Sequence, residues 1–93
     1  VSGKAAQKIG RKLREVAAAR QVLCVTHSAQ IAALGDAQFL IRKDSAGGRT
    51  RTQVFPLDLD GRVEEIARIM STDAVSDLMR QTARSMLRDS GVC

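Results

Sequence analysis

Aromatic residues are almost missing from this chain. Among 93 residues there is no tryptophan and no tyrosine, and Phe39 and Phe55 are the only phenylalanines. An interior must therefore be built from Ala, Leu, Ile, Val and Met. The same shortage removes the stacking platforms on which readers of single-stranded nucleic acid depend. Cysteine is scarce too: Cys24 lies in an apolar run and Cys93 is the last residue, which is no disulfide framework. Reduced thiols fit a cytoplasmic protein. No window approaches the roughly 20 apolar residues of a membrane span, and the amino terminus has no secretory pattern, so no membrane partner is expected. The chain begins with valine rather than methionine, so residue 1 is expected to mark a processed, truncated or recombinant boundary.

Several catalytic signatures are absent as well. A phosphate loop of the form G-x-x-x-x-G-K-[ST] joins a strand to a helix, whereas Gly47-Gly48 joins two β-like runs. Ser28, Cys24, His27 and Asp36 could be assembled into a hydrolase on paper. There is no nucleophile elbow, however, and Cys24 and His27 stand too close in one segment for a dyad. Together they form a C-x-x-H without the second ligand pair of a closed zinc site, so no metal is expected.

What the chain does have is a basic balance and clear periodicity. A net charge of +5 and a pI near 10.0 would draw any polyanion, without saying where it binds. Apolar content is 44%, and there are no repeats or linker-like runs, so residues 1–93 are read as a single domain, or a fragment, with a modest core.

The run Val22-Leu23-Cys24-Val25, closing with Thr26-His27-Ser28, is the stretch around which the rest is expected to be organised. Its continuous apolar character suits a central strand covered on both faces. His27 then stands at the carboxyl end of that strand, where open α/β sheets bind ligands. Before it, Ser2 is a plausible cap for a helix over residues 3–20, with Ala6, Ile9, Leu13 and Val16 on one face and Lys4, Lys8, Arg11, Lys12 and Arg14 over much of the rest. Gly10 in that helix suits close packing against a neighbour.

After it, Ser28 opens a short helix to Leu34, stopped by Gly35. Residues 37–43 and 49–55 read as two strands of a hairpin whose loop is 44–48. Phe39 and Ile41 share one face, Leu40 and Arg42 the other, and Pro56 ends the second strand. Asp58 opens a helix carrying Val63, Ile66, Ala67, Ile69 and Met70. A last helix over residues 73–88 turns Val75, Leu78, Met79, Thr82, Met86 and Leu87 inward. The expected class is α/β, in the order α-β-α-β-β-α-α.

Two sets of residues are candidates for function. His27 is the only histidine, and its position leaves three roles open: phosphate ligand, general base or structural group. Arg42, Lys43, Arg49 and Arg51 crowd the hairpin. Arg42, Arg49 and Arg51, with Lys8, Arg11 and Lys12, are candidates for a polyanion contact; the competing reading is solvated charge that keeps strand edges apart.

The order of the elements and the words within them resemble the carboxyl-terminal part of the head of RecN-type DNA repair proteins, SMC-like members of the ABC ATPase class. Val1-Ser2-Gly3 and the following Ala-rich helix are similar to the end of the D-loop. Val22-Leu23-Cys24-Val25-Thr26-His27, with Gln30 and Ala32-Ala33-Leu34, is similar to the switch-histidine segment. Phe39-Leu40-Ile41-Arg42-Lys43 and Arg62-Val63-Glu64-Glu65-Ile66-Ala67-Arg68 complete the likeness.

The resemblance implies a partial ABC head acting in recombinational repair of DNA double-strand breaks. In it His27 would be the switch histidine at the terminal phosphate of ATP, and Ser2 and Gly3 would touch a second head in a homodimer. ATP and Mg would belong to the intact parent, with DNA as a further partner and the bacterial cytoplasm and nucleoid as its location. The chain departs from the family pattern in having no Walker A loop, no ABC signature and no Walker B pair, so alone it is not expected to hydrolyse ATP. The alternative is a small basic nucleic-acid-binding or protein-interaction module without nucleotide chemistry.

Overall fold

Helices hold the core, and a β-hairpin stands outside it. A computed structural model describes residues 3–91, arranged as α1 (Gly3–Ala17), α2 (Ala29–Leu34), β1 (Phe39–Ala46), β2 (Arg49–Pro56), α3 (Leu59–Met70) and α4 (Asp77–Asp89). Ser2 lies outside the described residues, as does Cys93.

Three helices start where a side-chain oxygen satisfies an otherwise orphaned backbone N–H. Ser28 Oγ accepts from the N–H of Ile31 (3.4 Å), Asp58 Oδ1 from that of Gly61 (2.8 Å), and Ser76 Oγ from that of Met79 (3.2 Å). The buried centre is assembled from Ala29 and Ala33 of α2, Val63, Ile66 and Ala67 of α3, and Ala83 and Leu87 of α4. Ile69, Met70, Met79 and Met86 close around it. Small residues on α2 let α3 and α4 approach closely, so Ile66 and Leu87 become fully buried without any aromatic. Each such side chain contributes about 1.5 to 3 kcal/mol. Helix α1 rests on α2 through Gly10, where a Cβ would lie 2.5 Å from Leu34 Cδ1.

The hairpin follows its expected outline, with longer strands and a tighter turn. Its strands pair antiparallel from Phe39↔Pro56 to Ala46↔Arg49, and the turn is only Gly47-Gly48, at φ +62° and +76°. Two successive positive φ values match the strand twist and favour glycine. The Leu57 N–H donates to Gln38 O (3.0 Å) and closes the base. Leu40 is the most covered of its strand residues, Phe39, Ile41, Val54 and Phe55 are about half exposed, and the rest are exposed.

Two expectations are corrected. Residues 21–28 form no strand, and Leu23 and Val25 are 85% and 87% exposed. The physical reason is pairing: a strand suited to burial on both faces needs a ladder on each side, and the only sheet among the described residues is β1–β2. The order is therefore α-α-β-β-α-α, a mixed α/β arrangement with one antiparallel hairpin. The second correction concerns α4. It begins after Ser76 rather than near residue 73, which sets its inward stripe as Met79, Ala83, Met86 and Leu87. Leu78 falls on the outer face, 68% exposed, and Thr82 beside it is exposed, its hydroxyl donating to Leu78 O (3.0 Å).

The contrast can be measured. Ile66→Ala should lower unfolding stability by about 3 kcal/mol through lost contacts and a residual cavity, whereas Leu78→Ala should cost under about 0.5 kcal/mol. Urea unfolding of the chain followed by circular dichroism checks this; equal shifts for the two variants would refute the inward face assigned to α4.

Candidate functional site

His27 is positioned by helix α2 rather than by a strand. The N–H of Ser28 donates to Thr26 Oγ1 (3.0 Å), and its backbone oxygen accepts the first bond of α2 from Ala32 (3.0 Å). Ser28 Oγ also donates to Gln30 Oε1 (3.3 Å). These bonds fold the chain at Thr26–Ser28 and leave the His27 side chain exposed, with no hydrogen bond to protein among the described residues. Gly3 sits at the start of α1, and a Cβ there would lie 3.5 Å from Gln30 Nε2. The structure thus brings the start of α1 and the first turn of α2 to one end of the molecule. Ser2, expected to act beside Gly3, lies outside the described residues.

The other end of α2 is fixed by Arg62, a residue to which motif and spacing assigned no role. It is the buried charged side chain of α3, only 3% exposed. Its Nη2 donates to Gly35 O (2.8 Å) and Ala32 O (3.1 Å), Nη1 reaches Asp36 O (3.4 Å), and Nε donates to Gln38 Oε1 (3.2 Å). One guanidinium therefore supplies donors to the carbonyls of Gly35 and Asp36 just past α2 and a second donor to Ala32 O, which also accepts the Gly35 N–H, and it ties α2, the first residues before β1 and α3 together. A signal for it existed in the sequence: an arginine one residue before an apolar helical stripe, on the side of α3 that must face α2.

The basic candidates separate into two kinds. On α1, Lys12 pairs with Glu15 (3.3 Å), and Arg11 lines an open groove of about 470 Å³ together with Arg14, Glu15, Leu34, Asp89 and Ser90. Arg14 crosses that groove to the backbone oxygen of Ser90 and also lies 3.7 Å from Asp36. Lys8 is exposed beside them. Charge on this face is mixed. On the hairpin, Arg42, Lys43, Arg49 and Arg51 are all exposed, and among the described residues none has an ion-pair partner.

Elsewhere arginines serve the helices. Arg80 of α4 donates to Glu64 of α3 (2.6 Å) and to Asp77 (2.9 Å), and Arg68 bonds Glu65. Those carboxylates push both guanidinium pKa values up, first through the hydrogen bond. Glu64 and Glu65 act in these pairs, and the acidic residue of the first turn of α3 is Asp60. Among the described residues no group of three or more His, Cys, Asp or Glu side chains converges on a metal-sized site, and no helix is long and apolar enough to cross a membrane.

With this arrangement in view, comparison with known proteins shows which proteins the chain resembles. The chain is 40% identical over 90 residues to the DNA repair protein RecN of Bacillus subtilis, 40% over 87 residues to that of Streptomyces coelicolor and 34% over 87 residues to that of Vibrio cholerae. These matches take in 94 to 97% of the chain but only 15 to 16% of each relative. No family model matches. The chain is thus similar over nearly its whole length to a segment of RecN proteins and spans about one-sixth of the length of the relatives it matches.

The clamp predicts its own mutational signature. Arg62→Met should destabilise the chain by about 3 kcal/mol, because buried carbonyls lose their donor. Arg62→Lys should recover only part of that, since one ammonium cannot span the same acceptors. Circular dichroism in urea reads both; a Lys variant as stable as the parent would show that the fork geometry is irrelevant.

Proposed function

We propose that this chain is the carboxyl-terminal lobe of an ABC-type ATPase head, working in a RecN-type protein for recombinational repair of DNA double-strand breaks. We further propose that His27 senses the terminal phosphate of bound ATP. The observation that carries this reading is the state of residues 21–28. An apolar run fit for a central strand is exposed, and it leads into a histidine held at the mouth of a capped and clamped helix. Such a run calls for neighbouring strands, and five-sixths of the relatives' length lies beyond the matched segment.

The residues present also define what this lobe contributes. An exposed imidazole offers one hydrogen-bond donor to a phosphate oxygen, and the bonds around Ser28 fix the backbone that carries it. That suffices to report on a phosphate and is too little to hold a triphosphate. Nucleotide and Mg would be bound mainly by the remainder of the head and by a second head, with Gly3 at the end of the lobe that faces the partner. When bound, ATP supplies the phosphate whose loss on hydrolysis His27 would register.

The test is a separation of binding from turnover in the full-length protein. His27→Ala should reduce ATP hydrolysis at least about tenfold while leaving nucleotide affinity within about threefold. Equal loss of both would assign the histidine a structural role.

The strand itself can be followed through Cys24, an exposed free thiol. With Cys93 replaced by serine, Cys24 should react with a thiol reagent at the rate of an open site in the 93-residue chain. In the full-length protein, burial of the strand should slow that reaction by about tenfold or more. Similar rates in both would count against a central strand at residues 21–28.

A further inference from the structure

We infer that one face of the β1–β2 hairpin, carrying Arg42, Arg49 and Arg51, is a contact surface for the phosphodiester backbone of duplex DNA. The identity of the polyanion rests on the reading of the chain as part of a DNA repair protein; the surface itself rests on the geometry of the hairpin. The register sorts the strand residues cleanly. Directly paired residues share a face and successive residues alternate, so Arg42, Arg49 and Arg51 stand together with Asp44 and Gln53, outward of the pair Leu40 and Phe55 at the base of the same face. The opposite face carries Phe39, Ile41 and Val54, each about half exposed, at its base and Lys43, Thr50 and Thr52 further out. If other protein covers one side of this ribbon, the side of Phe39, Ile41 and Val54, which holds one cation against three, gains more by burial, and the arginines are left facing outward.

Spacing suits a backbone. Arg49 and Arg51 are two residues apart on one strand, about 7 Å, and Arg42 lies diagonally across from Arg51 at a similar separation. Three planar guanidiniums at that interval can each grip a different phosphate, with two N–H donors per group. The ribbon is accessible enough to reach one: eight residues per strand extend about 25 Å, and the strand residues from Arg42 to Gln53 are exposed. The two-glycine turn keeps the tip narrow.

Charge pairing distinguishes this surface from the other candidate. Lys12, Arg14, Arg68 and Arg80 are all within reach of carboxylates, and Arg11 shares its groove with Glu15 and Asp89. The hairpin cations have only Asp44 among them, and even Asp44, directly opposite Arg51 in the register, forms no ion pair with it. The absence of aromatic residues along the outer half of the ribbon favours a duplex, whose backbone is met by charge alone, over a single strand, which is gripped by stacking.

The experiment uses the full-length protein carrying this segment, with fluorescence anisotropy of a labelled duplex measured across a salt series. In Arg42→Gln/Arg49→Gln/Arg51→Gln the slope of log affinity against log salt should fall by about 2.7, from about 0.9 per phosphate lost. Between about 50 and 200 mM salt, the drop in affinity should then be about 40-fold smaller than in the parent. The milder Arg42→Gln/Arg51→Gln should lose about 1.8 from the slope, which keeps the test decisive if the triple variant folds poorly. Replacing the three arginines by lysine should preserve the slope, and Lys8→Gln/Arg11→Gln/Lys12→Gln should leave it near that of the parent.

An unchanged slope in the hairpin variants overturns the surface, as does an equal loss in the α1 variant or a loss seen only with single strands or RNA. The His27→Ala turnover assay fails or succeeds independently. Loss of turnover there with intact hairpin slopes would remove this surface and leave the head reading; the converse would remove the head reading and leave the surface.

Discussion

The organisation of this segment depends on one buried guanidinium. Arg62 satisfies the end of α2, the connection to β1 and the side chain of Gln38 from a single position on α3, at 3% exposure. Burying a cation would be costly if its acceptors were poorly placed. Here the planar fork fits the carbonyls of Gly35 and Asp36 beyond a six-residue helix and shares Ala32 O with the Gly35 N–H. The cation is stabilised by the helix end, and the helix end by the cation. Neither α2 nor the chain path after it would be defined by the alanine-rich core alone, because Ala29 and Ala33 contribute little area each.

That dependence explains how a chain with so little apolar bulk positions anything at all. Ser28 fixes the start of α2 and Arg62 fixes its end, so the segment holding His27 is attached to a short rigid unit seated on Ile66 and Leu87. The hairpin leaves from the same place: Gln38, whose side chain meets Arg62, also accepts from Leu57 to close the ribbon's base. The two regions proposed to meet phosphate, one nucleotide and one nucleic acid, therefore diverge from a common anchor. Beyond that anchor both faces of the hairpin are largely exposed among the described residues, which leaves its orientation to its base and to whatever covers Phe39, Ile41 and Val54.

Much of this was legible from residue types and spacing. Ser28 and Asp58 were readable as caps, Gly35 as a stop, Pro56 as a strand end and Val63, Ile66 and Ala67 as the inner stripe of α3, because each of these rests on interactions within a few residues. The alternation of Phe39 and Ile41 against Leu40 and Arg42 likewise survives in the ribbon. What was not legible depends on distant parts. Residues 21–28 have strand character, yet a strand is a property of a ladder, and no partner ladder exists among the described residues. Leu78 was assigned inward because it is apolar and adjoins Met79, but it lies about 100° round the helix from Met79, outside the face that Met79, Ala83, Met86 and Leu87 turn to the core. Arg62 escaped notice because a buried arginine is identified by its acceptors, and these lie 24 to 30 residues away in sequence.

The exposed run at residues 21–28 also constrains how any chemistry at His27 could arise. A side chain at a strand tip is accurate only to the extent that the strand is held, and here Leu23 and Val25 face solvent while Ser28 onward is fixed. Half of the positioning of His27, the half from α2, is thus already built into this segment. The other half requires flanking strands to pair the run and bury its apolar side chains. On the proposed reading this makes the histidine conditional on assembly: it becomes a precise phosphate donor only where the remainder of the head supplies both the sheet and the nucleotide. A sensor arranged in that way would be silent when its lobe is undocked, because the same contacts that complete the strand also set the imidazole.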